Sequence, residues 1–180
     1  MTNHESRLGL DIGRVIITGD QPGGDTSFIG GGIDDVLRTP PVPGALESVA
    51  RLVALCGGRV WLVSKCGPRM EEKTRIWLDH HRFFDVTGMP ASHLRFCRER
   101  PQKREHAEAL GLTHFVDDRR DVLEHLRGLV PHLFLFGPQR EAPPGWVAHV
   151  AGWAEAEASI QTTMNRGGTA SASQIVSLPR

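Results

Sequence analysis

Leu8-Gly9-Leu10-Asp11-Ile12-Gly13-Arg14-Val15-Ile16-Ile17 sets the reading of the whole chain: a short apolar run ends in a carboxylate, and glycine follows at once. Apolar runs bounded by turn residues recur downstream and predict strands over Leu8 to Asp11, Val60 to Ser64, Leu94 to Cys97, His114 to Val116 and His132 to Phe136, with a short sixth near Trp146 to Val150. Helical patterns separate them. The clearest runs from about Gly44 to Cys56, where Leu46, Val49, Val53 and Cys56 make one apolar face. Others are expected from Pro68 to about His80, from about Pro101 to Leu110 and from about Arg119 to Arg127, the last two stopped by Gly111 and Gly128. Strands alternating with helices predict an α/β fold with a mainly parallel sheet. Parallel strands in an open sheet end on one edge, so polar residues at those ends converge although they are distant in sequence.

Four of the strand and helix ends carry such residues: Asp11, Ser64, Lys103 and the pair Asp117-Asp118. This order resembles the motif order of the haloacid dehalogenase (HAD) superfamily from Leu8 to about Val150. The resemblance implies a Rossmann-like, three-layer α/β/α sandwich, a Mg²⁺-dependent aspartyl phosphotransferase mechanism and, usually, phosphatase activity. One position departs from the pattern. Hydrolases of the family usually read Asp-x-Asp in the first motif, whereas this chain reads Asp11-Ile12-Gly13.

The chemistry of each residue type suits those roles. A carboxylate at a strand end beside a divalent cation can attack a phosphoryl group, which is the part expected of Asp11. Asp117 and Asp118, two adjacent acids at a strand end, repel each other unless a cation compensates, and Asp118 doubles as a candidate helix cap. Ser64 is the expected phosphate hydroxyl donor, with Lys65 and Arg69 following it as substrate-binding candidates. Lys103 would neutralise the transferring phosphoryl and keep Asp11 ionised. By resemblance the Mg²⁺ ligands are Asp11, the backbone carbonyl of Gly13, Asp117 and Asp118, since Mg²⁺ takes oxygen ligands and keeps several waters.

In family phosphatases the second aspartate protonates the leaving oxygen and then deprotonates the attacking water, and glycine at position 13 can do neither. Four explanations stay open: an activated phosphate that needs little protonation, an acid such as Asp20 or Asp25 from the following loop, a different family chemistry, or a protein that binds a phosphorylated ligand without turnover. Arg14 adds a positive charge beside the gap. The Gly-, Asp- and Pro-rich stretch from Ile16 to Pro43 reads as a hairpin or long loop, the place where the family carries a flap. The spacings Asp11 to Ser64 and Lys103 to Asp117 leave no room for a cap domain.

With 180 residues the chain makes one domain, placed at 1–163, with a tail over 164–180 whose Ser, Thr, Gly and Ala from about Asn165 cannot bury enough surface to order. Acidic and basic residues balance at 21 each, so no bulk field favours nucleic acid or an anionic membrane; a basic rim of Arg69, Lys73, Arg98 and Arg100 remains a local option, and an oligomer is allowed. The polar start and the lack of a membrane-length apolar run predict a cytoplasmic protein. Three cysteines, Cys56, Cys66 and Cys97, form no metal-ligand or disulfide pattern, and no trusted metal spacing emerges from the nine histidines. The expected function is a Mg²⁺-dependent phosphatase acting on a nucleotide or small phosphorylated metabolite, with a non-catalytic phosphate-binding or regulatory protein as the alternative.

Overall fold

The computed structural model describes residues 6–19 and 31–170, with main chain only for 166–170. Strands β1 (Leu8–Leu10), β2 (Val60–Lys65), β3 (Leu94–Cys97), β4 (His114–Asp117), β5 (His132–Phe136) and β6 (Ala148–Val150) form a single sheet in the order β3-β2-β1-β4-β5-β6. Every pairing is parallel. The chain therefore starts in the middle of the sheet, builds outward to β3, and returns across β1 to build the other half. That reversal opens a crevice at the carboxyl ends of β1 and β4, where ligands bind in such sheets.

Alternation along the strands divides the core in two. Val60 and Leu62 of β2, Val116 of β4, and Phe134 and Phe136 of β5 pack in one cluster with α2 (Ala45–Leu55), α3 (Pro68–His80), α4 (Phe83–Thr87) and α7 (Trp153–Ala170). Trp61 and Val63, Phe115, Leu133 and Leu135 pack in the other with α5 (Gln102–Leu110) and α6 (Arg120–Leu126). Successive residues of a strand point to opposite faces, so the two clusters are the two sides of one sheet covered by helices. The expected three-layer α/β/α sandwich is the observed fold, and among the described residues no cap domain interrupts it. Gly9 illustrates how tight the second side is: a Cβ there would meet Phe115 Cδ2 at 2.5 Å and Leu112 Cδ1 at 2.6 Å.

The segment after β1 is held closely. Ile17 bridges Pro41 in antiparallel fashion and Val42 N donates to Ile16 O at 2.8 Å, which makes the described ends of the expected hairpin. The stretch also contains a short helix, α1 (Ile33–Arg38), absent from the expectation, and Asp35 accepts from Gly32 N at its start. Two indole N–H groups pin this segment to the body: Trp153 donates to Val15 O at 2.7 Å and Trp77 to Thr39 O at 2.8 Å. Asp20 and Asp25 lie outside the described residues. So do positions 171–180 of the expected tail, whose first residues continue α7. Among the described residues no helix is long and apolar enough to cross a membrane.

Candidate functional site

Asp11 leaves β1 at the point where the strand stops pairing with β2, and its N–H is held by Val116 O of β4 at 2.9 Å. The chain then turns sharply: Ile16 N and Ile17 N both donate to Ile12 O, at 2.8 and 3.0 Å. Val15, Ile16 and Ile17 are all buried, so the turn is anchored from below. Within it Arg14 adopts φ +59° while Gly13 keeps an ordinary negative-side backbone. A left-handed backbone at a residue other than glycine costs on the order of 1–3 kcal/mol, and such strain concentrates at working sites.

Lys103 projects from the first turn of α5 and is buried in the fold, with 2 % of its surface exposed. Its Nζ lies 2.7 Å from Asp11 Oδ1 and 2.7 Å from Asp117 Oδ2. Asp117 ends β4, is fully buried, and also accepts from Arg119 N at 2.9 Å. Asp118 pairs with Arg14 at 3.2 Å. Carboxylate oxygens of Asp11, Asp117 and Asp118 lie within 4.8 Å of one another. Ser64 is buried at the end of β2 and, with Lys65, lines the same small cavity as Asp11, Gly13 and Lys103.

Three carboxylates thus crowd around one buried lysine. Burial pulls the Lys103 ammonium down, but Asp11 and Asp117 more than offset it and hold Lys103 above the usual lysine range, so it stays charged. The negative charge that Lys103 leaves uncompensated acts on the acids. Burial pushes Asp117 up to about 8 against the pull of Lys103, with Asp11 and Asp118 adding to the rise. Asp118 is raised to about 6 by burial and by Asp11, with Arg14 opposing. Side-chain ion pairs tie these carboxylates to Lys103 and Arg14, and Lys65, Arg100 and Arg119 line the same cavity. Grouped, desolvated carboxylate oxygens are the donor set that a hard divalent cation takes. Asp11, Asp117 and Asp118 therefore fit Mg²⁺ through their side chains, and Gly13 lines the same cavity.

The remaining expected residues are placed less centrally. Arg69 is exposed near the start of α3 and does not line the cavity. The basic rim is largely drawn into other contacts: Arg98 pairs with Glu71 at 2.9 Å, Arg100 with Asp121 at 3.2 Å, and Lys73 donates to Gly31 O at 2.7 Å. Arg100 nonetheless lines the small cavity, as do Arg14 and Arg119. Arg119 went unrecognised in the sequence; its position directly after Asp117-Asp118 was the available signal. Cys66 and Cys97 sit near the site as buried thiols, and burial pushes Cys66 up to about 11, so it is not a ready thiolate.

The parallel sheet in this order has the fold of HAD-like hydrolases of known structure. The haloacid dehalogenase-like family hydrolase from Xanthomonas campestris superposes with a TM-score of 0.62 over 91% of this chain and 98% of its own, at 12% identity. The D,D-heptose 1,7-bisphosphate phosphatase from Burkholderia thailandensis superposes with a TM-score of 0.58 over 88% of this chain and 99% of its own, at 15% identity. No family model and no curated protein matches the sequence. At these identities the likeness is one of fold, and it agrees with the motif order.

Proposed function

We propose that the protein is a Mg²⁺-dependent phosphatase of HAD type that hydrolyses a nucleotide or another small phosphorylated compound through an aspartyl-phosphate intermediate. The observation that carries this reading is the Lys103 bridge, with Asp11 and Asp117 each 2.7 Å from one buried ammonium and Asp118 in the same oxygen cluster. Mg²⁺ held by Asp11, Asp117, Asp118 and the Gly13 carbonyl would supply positive charge to the phosphoryl oxygens.

The chain's own groups account for the rest. Asp11, 2.7 Å from Lys103 Nζ, presents a carboxylate oxygen as nucleophile at the open end of the sheet. Ser64 and the loop from Lys65 offer a hydroxyl and a cation to the non-bridging oxygens. The Asp11–Lys103–Asp117 contacts are preformed and buried, so little reorganisation is needed as charge moves onto the phosphoryl group. That one superposable structure is itself a sugar bisphosphate phosphatase supports a small phosphorylated substrate. Three buried, unpaired thiols suit a reducing, cytoplasmic setting.

A second reading, a non-catalytic phosphate-binding protein, draws on Gly13, which supplies no acid where hydrolases of this type usually have one. Phosphate release from a panel of sugar phosphates, nucleotides and acyl phosphates separates the two. Turnover that needs Mg²⁺ and vanishes in Asp11→Asn establishes the enzyme. Retained phosphate binding with no turnover of any compound establishes the binding protein.

A further inference from the structure

The carboxyl edge carries two cavities, and only the smaller is used by the reading above. The larger, of about 640 Å³, opens between the turn after β1 and the connection from β5 to β6. Its size falls within the roughly 300–1,000 Å³ common for small-molecule sites. Arg14, Asp118 and Arg119 line both cavities and so form the junction between them. Two arginines therefore stand at this junction, where the two cavities meet, Arg14 with its Nη1 3.2 Å from Asp118 Oδ2. Arg14 reaches it from the left-handed turn beside Gly13, and Arg119 from the head of α6, its Nε tied to Asp121 at 3.1 Å.

Beyond the junction the wall is mixed. Val42, Leu135, Phe136, Pro138 and Pro143 supply apolar surface suited to an organic body, beside the charged Arg120, Glu124, Arg140 and Glu141. Gln139 fixes this wall to the carboxylate loop, because its Nε2 donates to both Asp118 O at 3.2 Å and Phe136 O at 3.1 Å. An organic body in the larger cavity, joined to a phosphoryl group in the smaller, must place its linking group between Arg14 and Arg119. Guanidinium forks match carboxylate and phosphate oxygens, not a neutral ether or alcohol oxygen.

We propose that the larger cavity is the leaving-group subsite, and that the substrate is an organic phosphoanhydride whose leaving group departs as an oxyanion held by Arg14 and Arg119. This deepens the phosphatase reading and rests on it. An Asp11 carboxylate oxygen bonds to the terminal phosphorus as the phosphorus–oxygen bond to the leaving group breaks. The electron pair of that bond stays on the departing oxygen, which becomes a phosphate or carboxylate anion and takes no proton. Water then adds its oxygen to the phosphorus, the bond to Asp11 breaks, both water protons end on the released phosphate, and the carboxylate is restored. Gly13 is compatible with the first step because the departing oxyanion needs no proton from that position, and in the second step the water passes its protons to the departing phosphate with no side chain from position 13.

The test uses the whole protein with Mg²⁺ and three probes: ADP and acetyl phosphate, whose leaving groups are oxyanions, and glucose 6-phosphate, whose leaving group is an alcohol. The account expects kcat/KM for at least one anhydride to exceed that for glucose 6-phosphate by about 100-fold. A preference for ADP identifies a diphosphate, and a preference for acetyl phosphate an acyl phosphate. Arg14→Asn, which tolerates the left-handed backbone, should lower kcat/KM for the preferred anhydride by roughly 10- to 100-fold more than for glucose 6-phosphate, with Arg14→Lys only partly restoring that ratio. Glucose 6-phosphate turned over as fast as both anhydrides, or equal losses on all probes in Arg14→Asn, overturns the proposal while leaving the phosphatase standing. If nothing is turned over, the phosphatase reading fails and calorimetric binding of ADP decides the subsite. Weaker ADP binding in both Arg14→Asn and the cavity-filling Ala142→Trp supports it, and unchanged binding in both overturns it.

Discussion

His114 and Asp117 open and close the same strand, both are buried, and the protein treats them in opposite ways. At the amino end of β4, His114 has a hydroxyl on each ring nitrogen, Thr113 Oγ1 at 2.7 Å and Thr163 Oγ1 at 3.1 Å, and its ring lies against His132. Burial pushes it down to about 3, so the ring is neutral at physiological pH. Every polar atom is satisfied and no charge is left over. At the carboxyl end, Asp117 shares one lysine with Asp11 while Asp118 crowds in, and burial with the neighbouring acids raises both Asp117 and Asp118. Crowded, perturbed acids of this kind cluster at functional sites.

The contrast can be broken from either side. The largest effect is expected from Asp11→Asn, which removes the nucleophile and should lower phosphate release by roughly 10³-fold or more. The same substitution relieves the crowding, so the metal-free variant should unfold at higher urea than wild type, by about 1 kcal/mol. A protein both inactive and less stable would deny that the acids repel. Lys103→Met removes the single cation that touches two of the acids, and urea unfolding should show a loss of about 3–5 kcal/mol, since the buried carboxylates are left uncompensated. A loss under 1 kcal/mol would mean that the acids are not charged in the fold.

The histidine end gives a pH signature. The folded His114 has its pKa depressed to about 3 below the ordinary histidine value of 6.5, so between those values the unfolded chain binds the extra proton. Its contribution is complete above pH 6.5 and is lost as pH falls toward 3, with a slope of at most about 1.4 kcal/mol per pH unit. Urea midpoints between pH 7 and 4 should fall more steeply in wild type than in His114→Gln; parallel curves would count against a neutral buried ring. The smallest effect is expected at the surface. Arg51 grips Glu157 with two hydrogen bonds of 2.7 Å, yet its side chain is 58% exposed, and Arg51→Ala should leave the urea midpoint nearly unchanged.

The sheet and the central acids were legible because both depend on local patterns. Runs such as Val60 to Ser64 and His132 to Phe136 are apolar without alternation, as strands covered on both faces must be, and their ends name Asp11, Ser64 and Asp117. Lys103 reads equally well as a solvated lysine; only the approach of α5 to β1 and β4 buries it. Three helices escaped the reading for separate reasons. α1 and α4 are too short to show a period, and α7, though Trp153, Ala156, Ile160 and Met164 mark its buried side, merges with a small-residue tail. Arg69 sits one residue into α3 and is exposed, a matter of helix rotation that spacing from Ser64 does not reveal. The larger cavity was invisible because connecting loops build it, and their packing follows no sequence period.

Titration of Mg²⁺ into the metal-free protein by calorimetry, in wild type and in Asp117→Asn, tests the central claim most directly. One Mg²⁺ bound per chain in wild type, with binding lost or strongly weakened in Asp117→Asn, is the result this account predicts. No binding in wild type, or the same binding in both proteins, would contradict it.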